Sequence, residues 1–133
     1  MENKATLLKA TGEVIEIAPA NGKRFTLDEL YRHIETDIVE ILPMGEEAHQ
    51  GMMMIGDEES RLRSDYIVNE KATAIWRETF GITDPHKAWA EHVRNVESMG
   101  GIICAPDLRE GEEPFNVVGN IVFCPESMME DDD

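Results

Sequence analysis

"IGDEESRLRSDYIVNEKATAIW", residues 55–76, passes from an apolar segment through a charged turn into a capped helix, and this succession decides the fold class. Met52–Ile55 predicts a strand, and Gly56 through Ser60 the turn that ends it. "RLRSDYIV" (61–68) predicts a short extended return with Leu62 pointing inward. Asn69 then offers a side-chain oxygen to the free amides of a helix start. Ala72, Ile75, Trp76 and Phe80 follow at helical spacing, and Gly81 ends the run. Strand, turn and helix in direct succession, without regular strand–helix alternation elsewhere, point to an α+β domain.

Outward from this joint the pattern continues. "ATLLKATGEVIEI" (5–17) predicts two strands, Ala5–Ala10 and Glu13–Ile17, hinged near Thr11-Gly12 where a tight turn needs positive φ. In "FTLDELYRHI" (25–34), Thr26 is an N-cap and Glu29, three residues on, completes a capping box. Leu27, Leu30, Tyr31 and Ile34 share one face of that helix. "DIVEILPM" (37–44) returns to strand character and stops at Pro43. "TDPHKAWAEHVRNVESMGG" (83–101) predicts a helix capped by Asp84, with Pro85 in its first position, Gly100 at its end and Trp89, Val93 and Val96 on its buried face. "GIICAP" (101–106) is a strand candidate and "DLREGEEPFN" (107–116) an acidic loop. "VVGNIVFCP" (117–125) is the last strand, in which Gly119 marks a bulge or a close backbone approach. The expected architecture is a single α+β domain over 1–125, a mostly antiparallel sheet with about three helices packed on one face. An acidic, disordered tail is expected over 126–133.

Charge limits the functions open to such a domain. The chain carries 28 acidic against 12 basic side chains, a formal net charge of -16. Setting aside the five acids of "ESMMEDDD" (126–133) leaves 23 against 12, so the body itself is acidic. That surface repels nucleic-acid backbone and anionic membrane and favours a protein partner with a basic surface. Direct nucleic-acid binding is therefore not expected, although an acidic surface can imitate nucleic acid in a basic groove. No stretch has the apolar length of a membrane span, and "MENKATLLKA" lacks the apolar core of a signal peptide, so a cytoplasmic protein is expected.

The residues that could carry chemistry are few. Cys104 and Cys124 recur in similar settings, "IICAPD" and "IVFCPE", which could bring two thiols to neighbouring strand ends. Buried small hydrophobes explain them more simply than a redox or metal pair. His86 and His92 stand six apart, on different faces of one helix, and His33 and His49 lie far from them in sequence. Phosphate-loop, dinucleotide, zinc-protease and nucleophile-elbow motifs are all missing, and "GDEES" (56–60) lacks the alternating acids of a calcium loop. No catalytic residue, metal ligand or cofactor is expected. Arg61, Arg63, Tyr66 and Trp76 remain as candidate ligand-binding residues, two cations and two rings that could grip a flat anion such as a nucleotide. Charge balance and core packing are the competing account of the same four.

The acidic turn with its following base (Asp57, Glu58, Glu59, Arg61), "VNEKATAIW" (68–76), the early "ATGEVIEI" (10–17) and the late "VVGNIVF" (117–123) together resemble the DUF3846-like domain family. Its members are small proteins carried mainly by phages, plasmids and other mobile elements. The resemblance covers most of the fold but omits much of "GITDPHKAWAEHVRNVESM" (81–99), and Ser60 stands where members often have Gly. It brings no catalytic residues with it. Resemblance and charge together lead to the expectation of a non-enzymatic accessory protein that binds a host or defence protein through its acidic surface, in the host cytoplasm if phage-encoded. A small-ligand binder and an enzyme of unorthodox site are the alternatives. A homodimer is left open, through an exposed edge at Val117–Phe123 or Met52–Met54.

Overall fold

Leu7 and Leu8 are adjacent in sequence and belong to different hydrophobic clusters, because successive side chains of a strand point to opposite faces of its sheet. They lie in Ala5–Leu8 (β1), which forms a hairpin with Val14–Ile17 (β2) around Gly12 at φ 106°. The computed structural model describes residues 5–42, 44–62, 66–100 and 113–129. A second hairpin pairs Val39–Leu42 (β3) with Met52–Asp57 (β4). Ile121–Pro125 (β5) joins the two hairpins, giving the order β2-β1-β5-β4-β3 with every neighbouring pair antiparallel. Among the described residues there are three α-helices: Leu27–Ile34 (α1), Glu70–Thr79 (α2) and Pro85–Ser98 (α3). The α+β class and the antiparallel sheet are as the sequence predicts.

The helices divide between the two faces instead of sharing one. Leu30 and Ile34 of α1 pack with Ala5, Leu7, Ile55, Val122 and Cys124. Ala72, Ile75 and Trp76 of α2 pack with Leu8, Met54 and Ile121 on the opposite side. β5 explains why both faces need cover: in Ile121–Cys124 no residue is exposed, so the strand cannot leave either side in water. The sequence expectation of a pairing edge at Val117–Phe123 or Met52–Met54 is corrected on the same ground. β5 is the central strand and β4 lies between it and β3, so the sheet edges are β2 and β3.

Three local expectations also change. Gly56 and Asp57 still belong to β4, and Ser60–Leu62 winds into a short 3₁₀ turn instead of an extended return. Leu62 is 78% exposed, not inward. The segment expected as a disordered tail, 126–133, opens with ordered structure. Glu126–Met128 forms another 3₁₀ turn, Met128 is buried in the α1-side core, and its carbonyl accepts from the Phe25 amide at 2.7 Å. "GIICAP" with Cys104, most of the acidic loop, and residues 130–133 lie outside the described residues.

Caps hold the helices as their sequences imply. Thr26 Oγ1 accepts from the Glu29 amide, and Glu29 returns the bond to the Thr26 amide. Asn69 accepts from the Ala72 amide and Asp84 from the Lys87 amide. On α3, Trp89, Val93 and Val96 form the inner face but are only half-buried; Pro85 is that helix's buried residue.

Candidate functional site

From His33 to Ser60 the chain contains no Lys or Arg and eight acids: Glu35, Asp37, Glu40, Glu46, Glu47, Asp57, Glu58 and Glu59. That stretch is the β3–β4 hairpin and its flanks on the β3 side of the sheet; Asp57, Glu58 and Glu59 lie at one end of the hairpin, and Glu46 and Glu47 in its connecting turn at the other. The sequence reading registered the total charge and missed this segment, although the base-free run is visible in the sequence alone.

Glu40 sits at the middle of it. Gly56 stands directly across from Glu40 on β4 and borders a cleft of about 130 Å³. Glu40, Asp57, Glu58, Ser60 and Asn116 line the cleft with it. A Cβ on Gly56 would come within 2.7 Å of Ile121 Cδ1 on the neighbouring β5, so a side chain there would displace that methyl group. Glu40 is exposed on β3, and the desolvation it meets beside the cleft, with Glu58 and Asp57 adding like charge, moves its carboxyl above the usual carboxylate range. Asp57, itself buried, accepts from Thr36 Oγ1 at 3.0 Å and from the Glu59 amide at 2.9 Å, which fixes the turn that carries Glu58 and Glu59.

The base-free stretch is flanked by Arg32 of α1 and by Arg61 of the 3₁₀ turn, and two cations of α2 reach other parts of the fold. Lys71 Nζ donates to the Gly12 carbonyl, beside the β1–β2 turn. Arg77 reaches from α2 to residues 114–116, donating to the carbonyls of Phe115 (3.2 Å) and Pro114 (3.1 Å) and to Asn116 Oδ1 (2.7 Å). That pattern ties a loop to a helix.

The candidate ligand-binding residues fall in different settings. Trp76 lies against the α2-side core, its ring edge-on to Phe80 (5.2 Å) and tilted against Phe115 (6.2 Å). Trp89 of α3 meets the same Phe115 at 5.8 Å, so Phe115 links the two helices. Tyr66 is half-buried in the segment that leads into α2, Arg61 belongs to the 3₁₀ turn, and Arg63 lies outside the described residues. Among the described residues no three His, Cys, Asp or Glu side chains converge on a position that would hold a metal ion. His49 pairs with Glu78 at 3.6 Å, His86 with Glu113 at 3.9 Å, and His92 packs on Trp89. Burial pushes the Cys124 thiol up to about 12, which keeps it protonated and inert near neutral pH.

Among the described residues no helix is long and apolar enough to cross a membrane. Comparison of the chain with family models, with curated proteins and with solved structures gives no match.

Proposed function

We propose that the chain is a non-enzymatic binding protein whose acidic β3–β4 side docks on the basic surface of a protein partner. The observation that carries this is the base-free stretch of the β3–β4 hairpin and its flanks, with eight acids, in which Glu40, Asp57 and Glu58 line one cleft. A cation placed there relieves like-charge repulsion as well as adding attraction. The sequence resemblance to the DUF3846-like family supplies the biological setting, an accessory protein of a phage or mobile element acting on a host or defence protein.

The test is affinity capture from expressing cells, with the natural chain and with a Glu40→Gln, Glu58→Gln, Glu59→Gln variant as paired baits. A defined basic protein that elutes as salt rises, and that the variant fails to retain, supports the proposal. Retention that is indifferent to salt and to the three substitutions removes it. Native mass spectrometry of the same sample reads the small-ligand alternative, which requires a discrete bound mass.

A further inference from the structure

Among the described residues no backbone pairs with the outer side of β3. Glu58 donates from its amide to the Ile38 carbonyl at 3.2 Å, and the register pairs Glu40 with Gly56 and Leu42 with Met54. In an antiparallel ladder, positions that exchange bonds with the neighbour alternate with positions that do not. Residues 38, 40 and 42 therefore bond toward β4, and Val39 and Ile41 turn their N–H and C=O groups away from the sheet. Among the described residues no strand lies beyond them.

Two further features say what fits this edge. Ile41 is 56% exposed on one face of β3, an apolar side chain held in water on an edge strand. On the other face, Glu40 stands at the mouth of the acidic cleft. A strand laid along β3 sits about 4.8 Å away, and its side chains alternate between these two faces. The matching sequence alternates apolar residues, for Ile41, with Lys or Arg, for Glu40, Glu58 and the cleft. β2, the opposite edge, is the poorer match: it also exposes Val14, but Lys71 sits at its turn and supplies positive charge.

We propose that β3 is the docking line for an extended segment of the partner, alternating basic and apolar residues, which adds to the sheet as a sixth strand. This rests on the acidic-surface reading above and specifies its geometry. It also gives the hairpin's charge a selective role, since acids on an edge strand repel other acidic edges, including a second copy of this chain, while admitting a basic one.

The experiment uses the full chain, labelled with ¹⁵N, and a peptide of about ten residues alternating Lys and Val. Strand addition predicts that the Val39 and Ile41 amides shift and gain exchange protection on binding. Methylating the pairing amides of the peptide, or substituting Ile41→Pro, should each weaken binding at least about tenfold. The amides of β1 and β5 report whether the Ile41→Pro chain is folded. Equal, salt-sensitive binding of methylated and unmethylated peptides overturns strand addition and leaves the acidic-surface reading intact. A Glu/Val peptide that binds as well as the Lys/Val one overturns the charge reading and leaves strand addition. Failure of every peptide at low salt overturns both.

Discussion

Thr73 and Val117 exchange two hydrogen bonds across forty-four positions of chain: the Val117 amide donates to Thr73 Oγ1 at 2.9 Å, and that hydroxyl donates to the Val117 carbonyl at 3.3 Å. Both residues are buried, so water cannot replace either bond. Thr73→Val keeps the shape and leaves the Val117 amide without its acceptor, at a cost of about 1–3 kcal/mol. Thr73→Ser keeps the hydroxyl and loses one methyl group, about 1 kcal/mol. Urea unfolding checks the order. A Thr73→Val midpoint equal to that of the natural chain would show that the hydroxyl contributes nothing.

Gly45 is required by close approach, not by backbone conformation. Its amide donates to Thr79 Oγ1 at 3.0 Å, and an added Cβ would run into the Thr79 carbonyl and lie 2.8 Å from a ring carbon of Phe80. Gly45→Ala must push the segment before β4 off the end of α2, costing about 1–3 kcal/mol. The loss should appear in thermal unfolding and as weakened exchange protection at the Glu47 amide, which donates to the Thr79 carbonyl at 2.8 Å. An unchanged melting temperature would mean that the contact yields without cost.

How much of this was legible beforehand depends on the range of the interaction. The caps at Thr26, Asn69 and Asp84 are local, set by side chains reaching three residues along, and the sequence shows them directly. Strand order is not local. Residue type alone makes Val117–Phe123 a candidate edge, yet the unbroken apolar run Ile121–Cys124, unlike the alternation of a one-sided strand, is the mark of a strand covered on both faces. The same misjudgement put all helices on one face. Leu62 was assigned inward by residue type alone, where its neighbours Glu59 and Ser60 begin a 3₁₀ turn with a different direction for each side chain. The acidic side required only a search for bases along the segment rather than a sum over the chain.

Asn69 is more than a helix cap. Its Nδ2 donates to the Leu8 carbonyl and the Gly119 carbonyl, each at 2.8 Å, while Oδ1 accepts from the Ala72 amide. One side chain thus joins the end of β1, the approach to β5 and the start of α2. Asp and Asn are near equals at an ordinary N-cap. Here Asn69→Asp replaces the two donations with a carboxylate oxygen facing two carbonyls, and should destabilise by about 2–4 kcal/mol. Denaturant titration near neutral pH measures it. A loss no larger than that of Asn69→Ser would refute the joining role.

Glu29 and Glu40 should oppose each other in their dependence on pH. Hydrogen bonds donated by the Thr26 and Ala20 amides, which are stronger to a charged oxygen than to a neutral one, hold the Glu29 carboxyl below its usual range. Its contribution is therefore present above the unfolded-state value, near 4.5, and is lost as pH falls through the folded value. Glu40 is shifted the other way, chiefly by burial and then by Glu58 and Asp57. The folded state holds its proton more tightly than the unfolded chain does, so stability falls as pH rises from the unfolded value through the raised folded one. Glu29→Gln should then destabilise near neutral pH and matter less in acid, whereas Glu40→Gln should stabilise near neutral pH and lose that advantage in acid. Urea midpoints for both variants across the acid range check the two signs. Parallel curves for Glu40→Gln and the natural chain would mean that its like-charge neighbours are screened by water, and would withdraw the electrostatic tension on which a cationic partner is argued to act.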